Sequence, residues 1–307
     1  MKTSAVPSVF HRLYGIQDTA GDKIFYGFCY VVVTLMMLVV LYPLIYILSA
    51  SFSSAEAITS GKMWLWPVEA TLVGYKYVLK YRAIWIGYRN TLFYTFAGTS
   101  INVVLTITCA YGLSRKNLRG RKFFTFLFAF TMIFKGGMIP NYLLMKNLKL
   151  INNIWVMLLP GAISVYNLIV ARTFIENSIP EELLEAAKID GCSDARFFFY
   201  IVLPLSKAIM AVLIIMYAAS HWNAYFDAFL YLTDKDLYPL QIFLRQILVQ
   251  SRMSADMLDP EALAQMQTLQ QILKYTVIVI STVPMLCLYP FVQKYFKQGI
   301  MIGSLKG

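Results

Sequence analysis

Charged side chains are scarce in this sequence: they make up 14% of its 307 residues, whereas 59% of the residues are apolar. Soluble domains carry roughly 25% charged residues, so this composition excludes an ordinary soluble domain. A mean hydropathy of +0.61 agrees with that exclusion. The composition therefore predicts a polytopic membrane protein.

Side chains for catalysis and metal binding are few as well. The two histidines, His11 and His221, stand far apart and outside any HExxH motif. This argues against an intramembrane enzyme, which needs a nucleophile and base or a metal constellation. Four cysteines are scattered without a CxxC pair: Cys29, Cys109, Cys192 and Cys287. Their spacing predicts neither a disulfide nor a metal site.

A phosphate-binding loop of the form GxxxxGK[ST] is also missing. We therefore expect no cofactor in this chain, and ATP with its Mg²⁺ would be bound by a separate subunit. The net charge of +11 could suggest nucleic acid, but the basic residues fall in short segments between apolar runs. That distribution follows the positive-inside rule of membrane proteins, so no nucleic-acid partner is predicted.

Long uncharged runs dominate the rest of the chain. No charge occurs between Lys23 and Glu56, and this run can cross a ~30 Å hydrocarbon core with some tilt. Five more spans are predicted by the same criterion, at about 90–113, 123–145, 150–171, 207–230 and 274–293. The predicted fold is all-α, with six transmembrane helices in one domain, 24–293, flanked by segments 1–23 and 294–307.

The orientation of these spans follows from the positive charges. The segment RKNLRGRK, 115–122, carries five positive charges in eight residues and would be hard to translocate. The sequence therefore predicts that both termini are cytoplasmic. The segment between the fourth and fifth spans is then cytoplasmic as well.

That segment contains an acidic stretch in an otherwise basic chain. Between Glu176 and Asp194 there are six carboxylates and one lysine. Anionic membrane surfaces repel carboxylates, so a helix lying on lipid should be rich in Lys and Arg instead. The acidic stretch thus favours a basic protein partner, and the alternative is a surface helix without any partner.

Local signals predict a short helix over 179–190 in this stretch. Ser178 and Glu181 have the spacing of a capping box, and Pro180 suits the first helical turn. Gly191 suits a left-handed residue that ends the helix.

A longer pattern runs through the same stretch and beyond it. Its fixed positions are Glu185, Ala186, Ala187, Gly191, Ile201, Leu203 and Pro204. This spacing resembles the EAA signature of bacterial ABC importer permeases, EAA-x3-G-x9-I-x-LP. The resemblance implies the type I ABC importer permease fold and a cytoplasmic coupling helix, at about 178–191, that docks on an ATPase subunit. Glu185 would pair with a basic ATPase residue, while the two alanines allow close approach.

Two further segments resemble parts of the same family. The tail KYFKQGIMIGSLKG has Gly299, Gly303, Lys306 and Gly307 at the spacing found in the maltose-type inner permease, whose tail reaches the ATPase dimer interface. The run MIFKGGMIPNYLL resembles sugar permeases of the lipoprotein and multiple-sugar subgroup. Together these resemblances imply a subunit of a carbohydrate importer, with an oligosaccharide as the expected substrate.

The resemblance also implies a set of partners and a location. These are a second, non-identical permease, two ABC ATPase subunits, an extracellular or periplasmic solute-binding protein, the carbohydrate, and membrane lipid. The expected location is the bacterial plasma (inner) membrane, with multiple spans. The identity of the sugar is left open, because specificity in such importers lies largely in the binding protein.

Polar residues crowd the outer half of the fifth predicted span. They are His221, Trp222, Asn223, Tyr225 and Asp227. Aromatic faces and hydrogen-bonding side chains suit a carbohydrate, and polar groups at membrane depth usually face a cavity. These residues are therefore candidates for the substrate pathway, and an interfacial aromatic girdle is the alternative.

Two more features concern the outer half of the protein. Lys135 interrupts the third span beside Gly136, Gly137 and Pro140, which predicts a break in the helix. It is a candidate pathway residue, and snorkelling or pairing within the bundle is the alternative. Later in the chain, apolar residues at helical spacing from Leu240 to Leu248 predict an amphipathic helix.

A secondary transporter coupled to Na⁺ or H⁺ is the rival hypothesis for function. Such proteins contain paired broken helices in two halves and buried acidic residues. Asp227 is the only carboxylate near a predicted span, and no repeat of one half in the other is evident. The sequence therefore favours an ABC importer permease.

Overall fold

The structure, a computed structural model, describes residues 19–250 and 270–287. All regular elements in these two ranges are helical. The chain divides into two compact units, residues 1–71 and residues 72–307.

From residue 19 onward, the first unit contains one long and one short helix. Helix α1, Ala20–Ser51, covers most of the uncharged run predicted as the first span. Thr19 caps its start: the Asp22 amide donates to the Thr19 hydroxyl at 3.3 Å, and the Thr19 amide donates to the Asp22 carboxylate at 2.9 Å. Helix α2, Ala55–Thr59, begins after Ser54, whose hydroxyl accepts from the Ala57 amide.

Within the described ranges, the second unit is built from eleven α-helices and two short 3-10 helices, Ile154–Met157 and Lys235–Leu237. The first six are α3 Val73–Lys80, α4 Arg82–Ser114, α5 Arg121–Ile133, α6 Met138–Asn147, α7 Val165–Ser178 and α8 Glu181–Ile189. The other five are α9 Asp194–Leu205, α10 Lys207–Trp222, α11 Phe226–Tyr231, α12 Leu240–Gln250 and α13 Gln270–Cys287. The middle of α9 has a π-helical turn over Phe198–Val202.

Helix α4 is the axis of the second unit and contacts α7, α10 and α12. Its 33 residues span about 50 Å at the usual helical rise. Three hydrophobic clusters lie along it, around Ile107 and Leu113, around Tyr94, and around Ile84. The first cluster also includes Leu184 of α8. Helix α8 therefore packs at the end of α4 where Ser114 lies, and Arg82 lies at the opposite end.

Three described helices are long and apolar enough to cross a membrane by themselves: Ala20–Ser51, Arg82–Ser114 and Gln270–Cys287. Two bent pairs raise the possible number of spans to five. Helices α5 and α6 meet at 116°, and α9 and α10 meet at 77°. The predicted number of six spans stays a prediction.

The predicted fourth span, 150–171, is not one continuous helix. A short 3-10 helix, Ile154–Met157, is followed by irregular chain, and α7 begins only at Val165. Pro160 and Gly161 lie in this gap, and Gly161 has a left-handed backbone with φ of +70°. A proline lacks the amide that a helix needs, and a left-handed residue ends one, so the apolar composition alone misplaced this helix.

The amphipathic helix predicted from Leu240 onward is confirmed by α12. Its apolar face is buried through Leu240, Phe243 and Leu244, which pack in one cluster with Ile84 of α4. The backbone of Leu240 approaches α4 closely because residue 87 is a glycine: a Cβ there would lie 2.9 Å from the Leu240 Cα.

Candidate functional site

The acidic segment forms helix α8, as predicted, but it starts differently. Ser178 is the last residue of α7, and Pro180 takes the N-cap position of α8 without a side-chain cap. The predicted capping box is therefore wrong. The Glu181 carboxylate instead pairs with Lys116, at 2.8 Å. This partner lies too far away in sequence for a local capping rule to include.

The end of α8 is as the sequence predicts. Gly191 has a φ of +75°, the left-handed conformation. Its amide donates to the Lys188 carbonyl at 3.0 Å, and the Cys192 amide donates to the Ala187 carbonyl at 2.9 Å. This pair of hydrogen bonds is a Schellman motif, which satisfies carbonyl groups that the end of a helix leaves free.

One face of α8 packs inward and the other is open. Leu184 is only 5% exposed, whereas Glu185 and Ala186 are exposed and Ile189 is 87% exposed. Among the residues that the structure describes, Glu185 forms no ion pair. An exposed carboxylate without an ion pair in its own chain can meet a basic residue of another protein.

The last part of the signature lies at a bend of the chain. Pro204 is in the final turn of α9, directly after the π-helical turn and before the 77° bend to α10. Since a proline has no amide, it interrupts the backbone ladder at this point. The residues of the signature therefore extend from the exposed helix α8 to the bend between α9 and α10.

A cluster of ion pairs next to α8 joins α7, α5 and the end of α4. Glu176 of α7 accepts from Arg121 of α5 and from Arg172 one turn earlier, the latter at 3.0 Å. Arg121 also donates to the Leu113 carbonyl of α4 at 2.9 Å. We call Arg121, Arg172 and Glu176 the charge cluster. The sequence signal for it was the spacing of Arg172 and Glu176, one helical turn apart on α7.

The ion pair between Lys116 and Glu181 adds a second tie next to this cluster. Its hydrogen bond lowers the pKa of Glu181 and raises the pKa of Lys116 relative to their usual values. Because the pKa of Glu181 is lowered, this ion pair stabilises the fold at pH values above the usual glutamate range. That stabilisation is lost as the pH falls. Because the pKa of Lys116 is raised, its contribution to stability is present at pH values below the usual lysine range and is lost as the pH rises. Between these limits the basic segment is held against the start of α8.

A polar cavity of about 380 Å³ lies between α4, α7 and α10. Polar side chains in its lining are Asn102, Ser164, Asn167, Tyr217, Ser220, His221 and Asp227. The Asn102 amide nitrogen lies 3.1 Å from the His221 ring nitrogen Nε2, and Oδ1 of Asn102 is buried without a partner in the described structure. The polar groups of the lining can form hydrogen bonds with a hydroxyl-bearing ligand.

The candidate pathway residues of α10 and α11 are brought to different places. Asp227 lines the polar cavity together with His221. Trp222 is 3% exposed and donates to the Ser281 carbonyl of α13 at 3.1 Å, so it packs between helices. Asn223 is exposed and donates to the Ala219 carbonyl at the end of α10. The guanidinium carbon of Arg245 lies over the Tyr225 ring, 5.3 Å from the centroid of that ring.

Lys135 lies in the irregular segment between α5 and α6. This confirms the predicted break, and Gly137 has a φ of +85° and a ψ of 175°, a conformation that is open essentially to glycine alone. Lys135 is exposed. The remaining candidates, Gly299, Gly303 and Lys306, lie outside the described residues.

Comparisons with known proteins all match this chain to transport permeases. Residues 17–300 match the family model described as binding-protein-dependent transport system inner membrane component. The polygalacturonan/rhamnogalacturonan transport system permease protein YtcP of Bacillus subtilis is 42% identical, over 93% of this chain and 98% of that protein. Protein LplC of the same organism is 39% identical, over 86% of this chain and 89% of its own length.

A solved structure gives the same result in three dimensions. It is a bacterial ABC transporter involved in the import of the acidic polysaccharide alginate. The match has a TM-score of 0.82 at 35% sequence identity, and it covers 92% of this chain and 99% of the matched chain.

Proposed function

This chain belongs to the family of binding-protein-dependent transport system inner membrane components, and from that premise we propose that it is the permease subunit of an ATP-driven carbohydrate importer. Proteins of this family are transport permeases that work with an ATPase and a solute-binding protein. The names of the relatives support an oligosaccharide as the carbohydrate.

Helix α8 is the observation that carries this proposal. It is acidic, it is open on one face, and its end is fixed by the left-handed Gly191. In this proposal the exposed Glu185 pairs with a basic residue of the ATPase, and the small side chains of Ala186 and Ala187 allow the two backbones to approach. Ala186 is exposed, whereas Ala187 also packs partly against the core. Pro204 then couples a movement of α8 to the elbow before α10.

The topology that we propose has α8 and both termini in the cytoplasm. The ion pair of Lys116 and Glu181 supports this, because it joins the strongly basic segment 115–122 to α8 at one end of the second unit. The positive-inside rule then assigns that end to the cytoplasm. We retain the predicted organisation, with segment 1–23, a membrane domain 24–293 and a tail 294–307. Gly299, Gly303 and Lys306 of the tail would reach the ATPase.

We assign the substrate pathway to the polar cavity first. Asp227 and the other polar residues of its lining offer hydrogen bonds to sugar hydroxyl groups. Trp222 would support the wall of the pathway from behind, whereas Asn223, Tyr225 and Lys135 would contribute nearer its mouth.

The complete transporter that we propose pairs this chain with a second, non-identical permease over two ATPase subunits. ATP and Mg²⁺ are bound by those ATPases, and the solute-binding protein delivers the sugar from outside the cell.

Reconstitution tests this proposal. The chain should co-purify with a second permease and an ATPase, and in proteoliposomes the complex should take up oligosaccharide only with ATP and the binding protein. Uptake driven by an ion gradient without ATP would instead indicate a secondary transporter. A fully active homodimer of this chain on the ATPase would contradict the second, non-identical permease.

A further inference from the structure

A second cavity of about 850 Å³ lies at the Arg82 end of α4, opposite to the end that contacts α8. It is open and lined by residues of α4, α11, α12 and the segment between the last two. Its charged lining residues are Arg82, Lys235, Arg245 and Asp236. We call this site the cationic pocket, because three cations face one carboxylate.

The guanidinium of Arg245 has a defined position in this pocket. It lies over two aromatic rings, 4.7 Å from the centroid of Phe229 and 5.3 Å from that of Tyr225. Such contacts hold the planar guanidinium in place and leave its N–H groups pointing outward around the edge. Since Arg245 forms no ion pair within the described ranges, these donors are available to a ligand.

The wall that carries Lys235 and Asp236 is fixed to α4. The Asn90 side chain donates to the carbonyl of Asp236 at 2.7 Å and to that of Tyr238 at 3.0 Å. Tyr94 donates to the Leu237 carbonyl at 2.9 Å. The segment between α11 and α12, which includes a 3-10 helix over Lys235–Leu237, is therefore held by side chains of a long helix. This preorganises the pocket.

The chemistry of the pocket combines forked cationic donors with aromatic faces. A guanidinium binds a carboxylate through two parallel hydrogen bonds, and an aromatic face packs against the apolar face of a sugar ring. We propose that the cationic pocket binds the carboxylates of an acidic, uronate-containing oligosaccharide where it enters the permease. This inference rests on the proposed function and narrows its substrate class.

The names of two similar proteins agree with this choice of ligand. One is a permease for polygalacturonan and rhamnogalacturonan, and the other belongs to an importer of alginate, an acidic polysaccharide. The phosphate of an anionic lipid headgroup would also suit a guanidinium, so the experiment must separate the two sources of negative charge.

Equilibrium binding to the purified transporter tests the inference. The complete complex, in nanodiscs of zwitterionic lipid and without the binding protein, is titrated with trigalacturonate and with its fully methyl-esterified form. The acid should bind and the neutral ester should not. Arg245→Gln should weaken binding of the acid roughly tenfold, the size of one charge-assisted contact, and Arg82→Gln should act in the same direction.

Two matched variants sharpen the result. Arg245→Lys keeps the charge but loses the fork, so it should bind with intermediate affinity. Lys76→Gln neutralises an exposed cation on α3 that does not line the pocket, and it should bind like the unmodified transporter. Thermal unfolding of each complex shows whether a variant is folded; exposure of Arg245 and Arg82 makes unfolding by these changes unexpected.

Three results would overturn the inference. They are equal binding of acid and ester, unchanged binding in both arginine variants, or displacement of the acid by anionic lipid without any effect of the variants on uptake. Failure of the proposed function appears separately, as the absence of ATP-driven uptake of any oligosaccharide. If the neutral ester is imported as well as the acid, the function stands and the substrate class is wrong.

Discussion

Glu176 is the residue on which two arginines from different helices converge. Arg121 comes from α5 and Arg172 from α7, and the three side chains are only 21–28% exposed. At this exposure, solvent screens the charges only in part, so the cluster contributes more than a pair on the open surface. Its position makes Glu176 a structural link between α7, α5 and the end of α4.

Replacing Glu176 with glutamine should destabilise the protein by about 2 kcal/mol, because two neighbouring cations lose their shared carboxylate. The midpoint of thermal unfolding of the purified complex measures this. The control is Lys122→Gln, which neutralises an exposed side chain in the same turn as Arg121. Equal midpoints for the two variants would show that the charge cluster does not hold these helices together.

Two glycines of α4 give a matched pair of substitutions. A Cβ at Gly98 would lie 2.4 Å from the His221 ring, whereas a Cβ at Gly112 would meet nothing within 4 Å. Gly98→Ala should therefore separate α4 from α10 and lower the unfolding midpoint. Gly112→Ala should raise the unfolding midpoint, because alanine stabilises a helix by up to about 1 kcal/mol relative to glycine. An unchanged unfolding midpoint in Gly98→Ala would contradict the close packing of His221 on α4.

At the scale of elements, a feature could be predicted from the sequence when the residues that cause it are close together in sequence. Gly191 and the apolar face of α12 follow local rules, so both were predicted correctly. The start of α8 was not, because Glu181 pairs with Lys116, which lies far away in sequence between α4 and α5. Trp222 shows the same limit: its indole donates to α13, a contact that no spacing within α10 reveals.

The turn after α8 gives a prediction at this scale. Gly191→Val should abolish transport, because a β-branched residue resists the left-handed backbone that ends α8 and fixes its direction. Gly191→Asn is the control, since asparagine tolerates this conformation. Uptake by proteoliposomes should be close to normal for Asn and lost for Val. Normal uptake in the valine variant would mean that the Schellman motif has no part in coupling.

At the scale of the second unit, α4 connects two different kinds of surface. One end of this ~50 Å helix meets the acidic α8 and the charge cluster, and the other end carries the cationic pocket. The polar cavity lies between them. Family membership and the order of these sites along one helix support a path that starts outside the cell, with control by the ATPase at the opposite end.

The central claim is that Glu185 transmits ATP hydrolysis to this path through an ion pair with the ATPase. Reversing its charge in Glu185→Arg replaces attraction by repulsion, and losing one side of such a pair typically costs ~2–5 kcal/mol, on the order of 30-fold or more in coupling. Glu185→Gln removes the attraction without adding repulsion, so its coupling should lie between that of the unmodified protein and that of Glu185→Arg.

The direct measurement is sugar-stimulated ATP hydrolysis by the reconstituted complex, with uptake recorded in parallel. Glu185→Arg should lose both while the protein still inserts in the membrane, and a compensating glutamate on the ATPase should restore both. That glutamate should not rescue Gly191→Val, whose defect is the shape of the turn. Normal stimulation of ATP hydrolysis in Glu185→Arg, with the ATPase still bound, would contradict the account.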